Sequence, residues 1–294
     1  MKFVLSCCSP ADLTSEFLKS KDIEYIPFHL ILGNKELIDD LGASISYEEF
    51  YRAMDDGADT KTMQVNIYEY VNHFKKLLEK GLPILHVTLS GGLSGTANSA
   101  IMAAKEVNEE LGKKMVYVVD SLGASAGYGL LVDKLCELRD AGKTVEEVYE
   151  WAEQNKLKVH HWFFSTDLKF FVRGGRISKA SGWLGTLLTI CPLLRVNVFG
   201  KLVPHQKVRG KKAVIKAIVE KMVEFADGGT EYNEKVYITH AHCVEDALAV
   251  KSLVEENFPQ VRGKVTVNSI GTTIGCHTGP GTVALFFFGK ERND

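Results

Sequence analysis

Apolar positions in the first half of the chain follow two alternating periods. Short apolar runs at residues 3–6, 25–32, 84–89 and 115–120 have the length and composition of buried strands, whereas residues 47–54, 67–80, 97–111 and 127–141 carry their apolar side chains at helical spacing. Two helix starts are marked by capping boxes, Ser46-Tyr47-Glu48-Glu49 and Thr144-Val145-Glu146-Glu147, and the second of these helices is expected to end near Asn155. Strand and helix in alternation imply a parallel sheet covered by helices.

The pattern changes near Val159. Residues 161–165 and 195–203 read as strands, the latter broken by a hairpin turn at Phe199-Gly200; a helix at 213–225, a strand at 235–240, a helix at 244–258 and strands at 265–270 and 283–288 follow. Asp227-Gly228-Gly229-Thr230-Glu231 reads as a turn. The predicted fold class is therefore α/β with two α/β domains. Residues 1–158 form a parallel sheet flanked by helices, and residues 159–294 form a mixed sheet with helices.

A length of 294 residues agrees with two domains of about 100–200 residues each. With 45% hydrophobic and 24% charged residues and a formal charge of −2, the chain has the make-up of a water-soluble globular protein and no electrostatic footprint for nucleic acid. The apolar run at the amino terminus is too short for a secretory signal and no stretch reaches the roughly 20 apolar residues of a membrane span, so a cytoplasmic location is expected. Six cysteines without C-x-x-C spacing, most of them within apolar segments, indicate neither a disulfide framework nor a zinc site.

The candidate chemistry begins at Ser90-Gly91-Gly92-Leu93-Ser94-Gly95-Thr96, between a predicted strand and a predicted helix. Glycines allow close backbone approach there, and the free N–H groups of a first helical turn suit an anion. Two readings stand for Ser94 and Thr96: ordinary helix N-caps, or hydroxyl donors to an anionic headgroup. Gly123-Ala124-Ser125-Ala126-Gly127 matches the G-x-S-x-G nucleophile elbow of serine hydrolases, while small residues equally serve tight strand-to-helix packing. Neither a P-loop nor a G-x-G-x-x-G motif occurs, so neither ATP nor NAD is expected as a cofactor. His240-Ala241-His242 lacks the companions of a metal site, and no metal is predicted. Arg173-Gly174-Gly175-Arg176-Ile177-Ser178-Lys179 and Arg209-Gly210-Lys211-Lys212 are cationic loops, either solvated or facing a phosphorylated ligand or acidic partner. His277 precedes a Gly279-Pro280-Gly281 turn, as a turn residue or as a group exchanging a proton near neutral pH.

In combination, Ala11-Asp12-Leu13, Thr62, Leu93-Ser94-Gly95-Thr96, Asp120-Ser121, the Arg173–Ser178 motif, Arg209 and His277-Thr278-Gly279-Pro280-Gly281 resemble the DegV family of bacterial fatty-acid-binding proteins, in an order that covers nearly the whole chain. The resemblance implies two α/β domains with one long-chain fatty acid, such as palmitate, buried between them. It implies a carboxylate held by Thr62 and Ser94, and a carrier that presents the acyl chain to a separate fatty-acid kinase rather than a complete enzyme. The chemistry is consistent with this: the hydroxyls of Thr62 and Ser94 and the N–H groups of Gly95 and Thr96 are donors for a carboxylate, His277 completes the network, and Arg173, Arg176 and Arg209 are expected to dock the kinase. At about 0.8 kcal/mol per methylene a palmitoyl chain contributes on the order of 12 kcal/mol before association entropy is subtracted, so apolar burial dominates affinity. Phe163, Phe164, Leu168, Leu184, Leu187, Leu188 and Ile190 are tunnel-wall or ordinary core residues. The rival reading is a serine hydrolase of acyl esters using Ser125 or Ser94.

The chain departs from the family pattern at three places. Cys8-Ser9 stands where an Asp-Ser pair is usual, Thr62-Met63-Gln64-Val65-Asn66 where Thr-Ser-x-Pro-Ser is usual, and Ala97 where a Tyr is common. These bear on ligand preference more than on fold.

Overall fold

A computed structural model describes residues 3–178 and 190–293. Four parallel strands, β1 (Val4–Cys8), β2 (Ile23–Ile26), β6 (Ile84–Thr88) and β7 (Val116–Asp120), form a sheet in the order β2-β1-β6-β7. The residues of β1 and β6 are buried throughout, as expected of parallel strands covered on both faces. The covering helices include α3 (Ile67–Leu78), α4 (Thr96–Leu111), α5 (Ala126–Asp140) and α6 (Val145–Asn155). Both predicted capping boxes are present, at Ser46 on α2 (Tyr47–Asp55) and at Thr144 on α6. A third, at Asn66 on α3, is built the same way.

A second sheet of six strands has the order β10-β9-β8-β13-β11-β12: β8 (Val159–Ser165), β9 (Ile190–Val196), β10 (Leu202–Arg209), β11 (Val236–His240), β12 (Val265–Ser269) and β13 (Thr282–Phe288). It is mixed, with β11 and β12 parallel and its other pairs antiparallel. The hairpin between β9 and β10 turns at residues 197–200, where Gly200 has φ +68°. Helices α8 (Lys211–Phe225) and α9 (Val244–Asn257) pack on one face of this sheet, while α5 packs against β8, β11 and β13. One apolar core consequently runs from Leu5 and Val87 of the parallel sheet through Leu131 of α5 to Phe163 and Phe286 of the mixed sheet.

The run at 25–32 is two strands, not one. Pro27 has no N–H to give a ladder, so β2 ends at Ile26 and β3 (His29–Leu32) starts a separate antiparallel sheet with β4 (Lys35–Ile38) and β5 (Thr60–Met63), in the order β4-β3-β5. The unread cue was Gly33-Asn34, a two-residue hairpin turn with Gly33 at φ +60° between the paired residues Leu32 and Lys35. Three short helices also escaped the pattern: α1 (Ser15–Ser20), α7 (Lys169–Arg173) and α10 (Thr272–Thr278). His277 thus sits in the last turn of α10, before the Gly-Pro-Gly turn, and Gly279 at φ +65° ends the helix. Thr-Thr-Ile-Gly-Cys-His-Thr is too short and too rich in β-branched residues to display helical periodicity.

Candidate ligand-binding site

A cavity of ≈ 450 Å³ lies where the three sheets converge. Its apolar wall includes Phe28, Leu93, Phe163, Phe171, Ile274 and Phe286, with Thr62, Ser94, Arg176 and His277 among its polar residues. Each polar residue arrives on a different element. Thr62 lies on β5 opposite Leu30 of β3, Ser94 in the loop before α4, Arg176 just beyond α7, and His277 on α10.

Thr62 Oγ1 and His277 Nε2 are hydrogen-bonded at 2.8 Å. Burial, reinforced by the nearby positive charges of Arg176 and Arg173, pushes the imidazole down to about 4, so it is neutral at physiological pH. Its Nδ1 abuts Gly174, where a Cβ would stand 2.3 Å away. The absence of a side chain at Gly174 therefore admits the ring. Arg176 donates from Nε to the carbonyl of Leu93 at 3.2 Å, which ties the loop bearing Ser94 to the segment after α7. Together these contacts gather Thr62, Ser94, Arg176 and His277 at one end of the cavity. Met63 and Gln64 beside Thr62 are exposed, so that end faces solvent.

The glycine loop before α4 is used differently from the sequence expectation. Gly91 donates its N–H to Asp120, 3.1 Å from each carboxylate oxygen, and Gly92 donates to Ser90 Oγ at 3.0 Å. The chain's own acceptors take the amides that an anion would have met. Ser94 lines the cavity and its Oγ accepts the Thr96 N–H at 3.3 Å, although the N-cap position of α4 itself is taken by Gly95. Thr96 is fully buried, and its hydroxyl pairs with that of Tyr70 at 2.7 Å. Gly95 faces Gln64, whose Oε1 would lie 2.7 Å from an added Cβ. Neither Gly95 nor Thr96 is among the cavity-lining residues. Tyr70 also meets Cys8 Sγ at 3.2 Å, and burial raises that thiol to about 12, so Cys8 stays protonated within the core.

Ser125 lines the cavity with φ 55° and ψ −154°, a strained turn of the kind a nucleophile elbow requires. Its hydroxyl, however, donates to Asp12 and lies 3.2 Å from Thr239 Oγ1, with no imidazole among its hydrogen-bond partners. The flanking glycines have a packing cause. A Cβ on Gly123 or Gly127 would stand 2.5 or 2.2 Å from His161 Nε2. The motif is a backbone seat for His161, and the serine-hydrolase reading loses its support.

The cationic residues separate as well. Arg173 pairs with Asp59 at 3.1 Å and donates to Thr60 Oγ1 at 2.9 Å, Arg176 lines the cavity, and Arg209 is the exposed last residue of β10. Of the proposed tunnel walls among the described residues, only Phe163 lines the cavity. Phe164 belongs to the core beneath α8 and α9, Leu168 packs in the main core, and Ile190 is not a lining residue. Leu184, Leu187 and Leu188 lie outside the described residues, as does Lys179. Sequence reasoning missed Phe28 and Ile274, for which strand or helix periodicity was the only available signal.

A family model described as "Uncharacterised protein, DegV family" matches residues 8–290. A DegV domain-containing protein of Clostridium perfringens is 35% identical over 291 residues, covering 99% of both chains. A fatty acid-binding protein of Thermotoga maritima is 31% identical over 297 residues, with 99% of each chain covered. Among solved structures, a DegV lipid-binding protein from Thermotoga maritima superposes with a TM-score of 0.85 at 29% identity over 100% of both chains. Among the described residues no helix is long and apolar enough to cross a membrane.

Proposed function

The chain belongs to the DegV family, and on that premise we propose that it binds a long-chain fatty acid, with the carboxylate at Thr62, Ser94 and His277 and the acyl chain in the ≈ 450 Å³ cavity. The observation that carries this reading is the make-up of that cavity, a predominantly apolar wall on which the hydrogen-bonded pair Thr62 and His277, with Ser94 and Arg176, lies beside exposed Met63 and Gln64. Hydroxyl groups and a neutral imidazole suit a carboxylate by hydrogen bonding, and Arg176 supplies positive charge beside them. The volume lies within the range of about 300–1,000 Å³ typical of small-molecule sites.

We further propose that the protein acts in the cytoplasm as a carrier, presenting the carboxylate to a fatty-acid kinase, and is not itself the catalyst. The placement of the polar groups at the open end, beside exposed Met63 and Gln64, supports this, because a phosphoryl donor held by a partner must approach the carboxylate from that side. The division into units 1–158 and 159–294 belongs to the same reading: the six-stranded sheet begins at Val159, and the cavity takes residues from both sides of that boundary. Mass spectrometry of an organic extract of the purified protein tests the ligand class. One fatty acid per chain is the expected result; an extract without fatty acid, together with failure of the delipidated protein to bind palmitate, rejects it.

A further inference from the structure

We propose that strand β13 is a ruler for the acyl chain, on which Ala284 keeps the passage open and Phe286 closes its far end, so that these two residues set the longest saturated chain the cavity accepts. This rests on the fatty-acid reading above and adds a chain-length specificity to it. Side chains alternate across the strand: Thr282, Ala284 and Phe286 line the cavity, whereas Val283, Leu285 and Phe287 belong to the core beneath α8 and α9. Strand pairing widens these positions into rows. Ala284 lies opposite Phe163 of β8 and Phe286 opposite His161, and Val196, one residue beyond the Trp162–Arg195 pair, continues the second of these rows on β9. The first row adjoins the proposed carboxylate site, because Thr282 Oγ1 donates to the carbonyl of Thr278, the residue after His277, at 3.3 Å. With a rise of 3.2–3.4 Å per residue, Phe286 stands about 13 Å from Thr282 along the strand.

The row at Phe286 is the last one. The next pair on the same face, Phe288 with Val159, lies outside the cavity lining. The row is also firmly backed: a Cβ on Gly127 of α5 would stand 2.6 Å from Phe286 Cδ1 and 2.2 Å from His161 Nε2, so the α5 backbone already touches both rings and leaves them no room to retreat on that side. Ala284 is the opposite case. It is the smallest residue of the run Val283–Phe288, and together with Phe163 opposite it lines the cavity, the two keeping 5% and 6% of their surface accessible. A chain running from Thr282 toward Phe286 crosses Ala284, and a branched side chain there would take its space. Every methylene buried along this path adds affinity until the terminal methyl meets Phe286, after which further carbons must fold back or overpack the wall.

The test measures binding of decanoate, laurate, myristate, palmitate, stearate and icosanoate to the delipidated full chain and to its Ala284→Leu and Phe286→Leu variants. In the parent, affinity is expected to climb about fourfold for each added methylene and then to level or fall at one chain length. Ala284→Leu should move that break to a shorter acid by at least one step of the series, and Ala284→Val, with less added bulk, gives the same reading if the larger variant does not fold. Phe286→Leu, which keeps an apolar side chain but removes the ring, should move the break to a longer acid. A break that stays where the parent has it, in the folded Ala284 variant or in Phe286→Leu, overturns the proposal, whether or not affinity falls uniformly. So does a parent whose affinity climbs through the whole series without a break. If the parent binds none of the six acids, the fatty-acid reading itself fails.

Discussion

Thr62 and His277 are 215 positions apart in the chain and meet at 2.8 Å on the cavity wall. One is on the edge strand β5 of a three-stranded sheet and the other on a two-turn helix, so the pair holds only while β5 and α10 remain docked. The contact between Thr60 Oγ1 and the Cys276 carbonyl, 3.2 Å, fixes the same two elements one step away. The polar end of the cavity is thus a product of docking.

Removing a headgroup donor should lower affinity without unfolding the chain. Ser94→Ala and Thr62→Val are each expected to weaken fatty-acid binding about ten- to a hundredfold, the effect of losing one hydrogen bond to a charged group at roughly 1.5–3 kcal/mol. Titration calorimetry of the delipidated variants with palmitate measures it. If both variants bind as the parent does, the carboxylate lies elsewhere.

Arg176 and Arg209 should separate in their effects. Because Arg176 lines the cavity beside His277, Arg176→Glu is expected to impair fatty-acid binding itself, while Arg209→Glu, at the exposed end of β10, should leave it unchanged. With a cognate kinase, acyl-phosphate formation should fall for Arg209→Glu if that residue contacts the partner. Parent-level turnover in Arg209→Glu removes it from the docking surface.

Ser125→Ala should leave palmitate affinity intact and lower stability by about 1–3 kcal/mol, since the buried Asp12 carboxylate loses a donor. Urea unfolding reads the second quantity. The parent protein should not react with a fluorophosphonate; covalent labelling at Ser125 would restore the hydrolase reading.

Gly127→Ala is expected to be strongly destabilising, by about 1–3 kcal/mol or more, because the added methyl would stand 2.2 Å from His161 Nε2 and 2.6 Å from the Phe286 ring. The companion His161→Ala should recover part of the loss by making room. An unaltered melting temperature in Gly127→Ala would show that the seat is looser than described.

His277 gives a pH dependence whose sign is fixed. Its folded-state value of about 4 lies below the ordinary 6.5, so between those limits the unfolded chain holds a proton that the folded chain does not, and acidification through that window destabilises the fold. Buried Asp12 and Asp39 are shifted upward by burial and act in the opposite sense, so the informative quantity is a difference. His277→Asn should flatten the fall in stability between pH 6.5 and 4 by up to about 3 kcal/mol relative to the parent. Identical slopes for the two proteins would mean that the ring is not held neutral.

The sequence by itself determined the alternation of strands and helices in the first sheet, both capping boxes first noted in it and the β9–β10 hairpin, and its turn glycines marked Ser94 and His277, because periodicity, caps and turn glycines act within a few residues of each other; Thr62 was marked only by the family resemblance. Tertiary structure decided the rest. Only docking turned the loop amide of Gly91 toward Asp120, gave Thr96 to Tyr70, and split three arginines among an ion pair, the cavity and the surface. It also revealed that the glycines around Ser125 seat His161. Partners of this kind lie tens to hundreds of residues away, and a hydroxyl or guanidinium binds whichever group the packed backbone brings within about 3 Å, which no local pattern specifies.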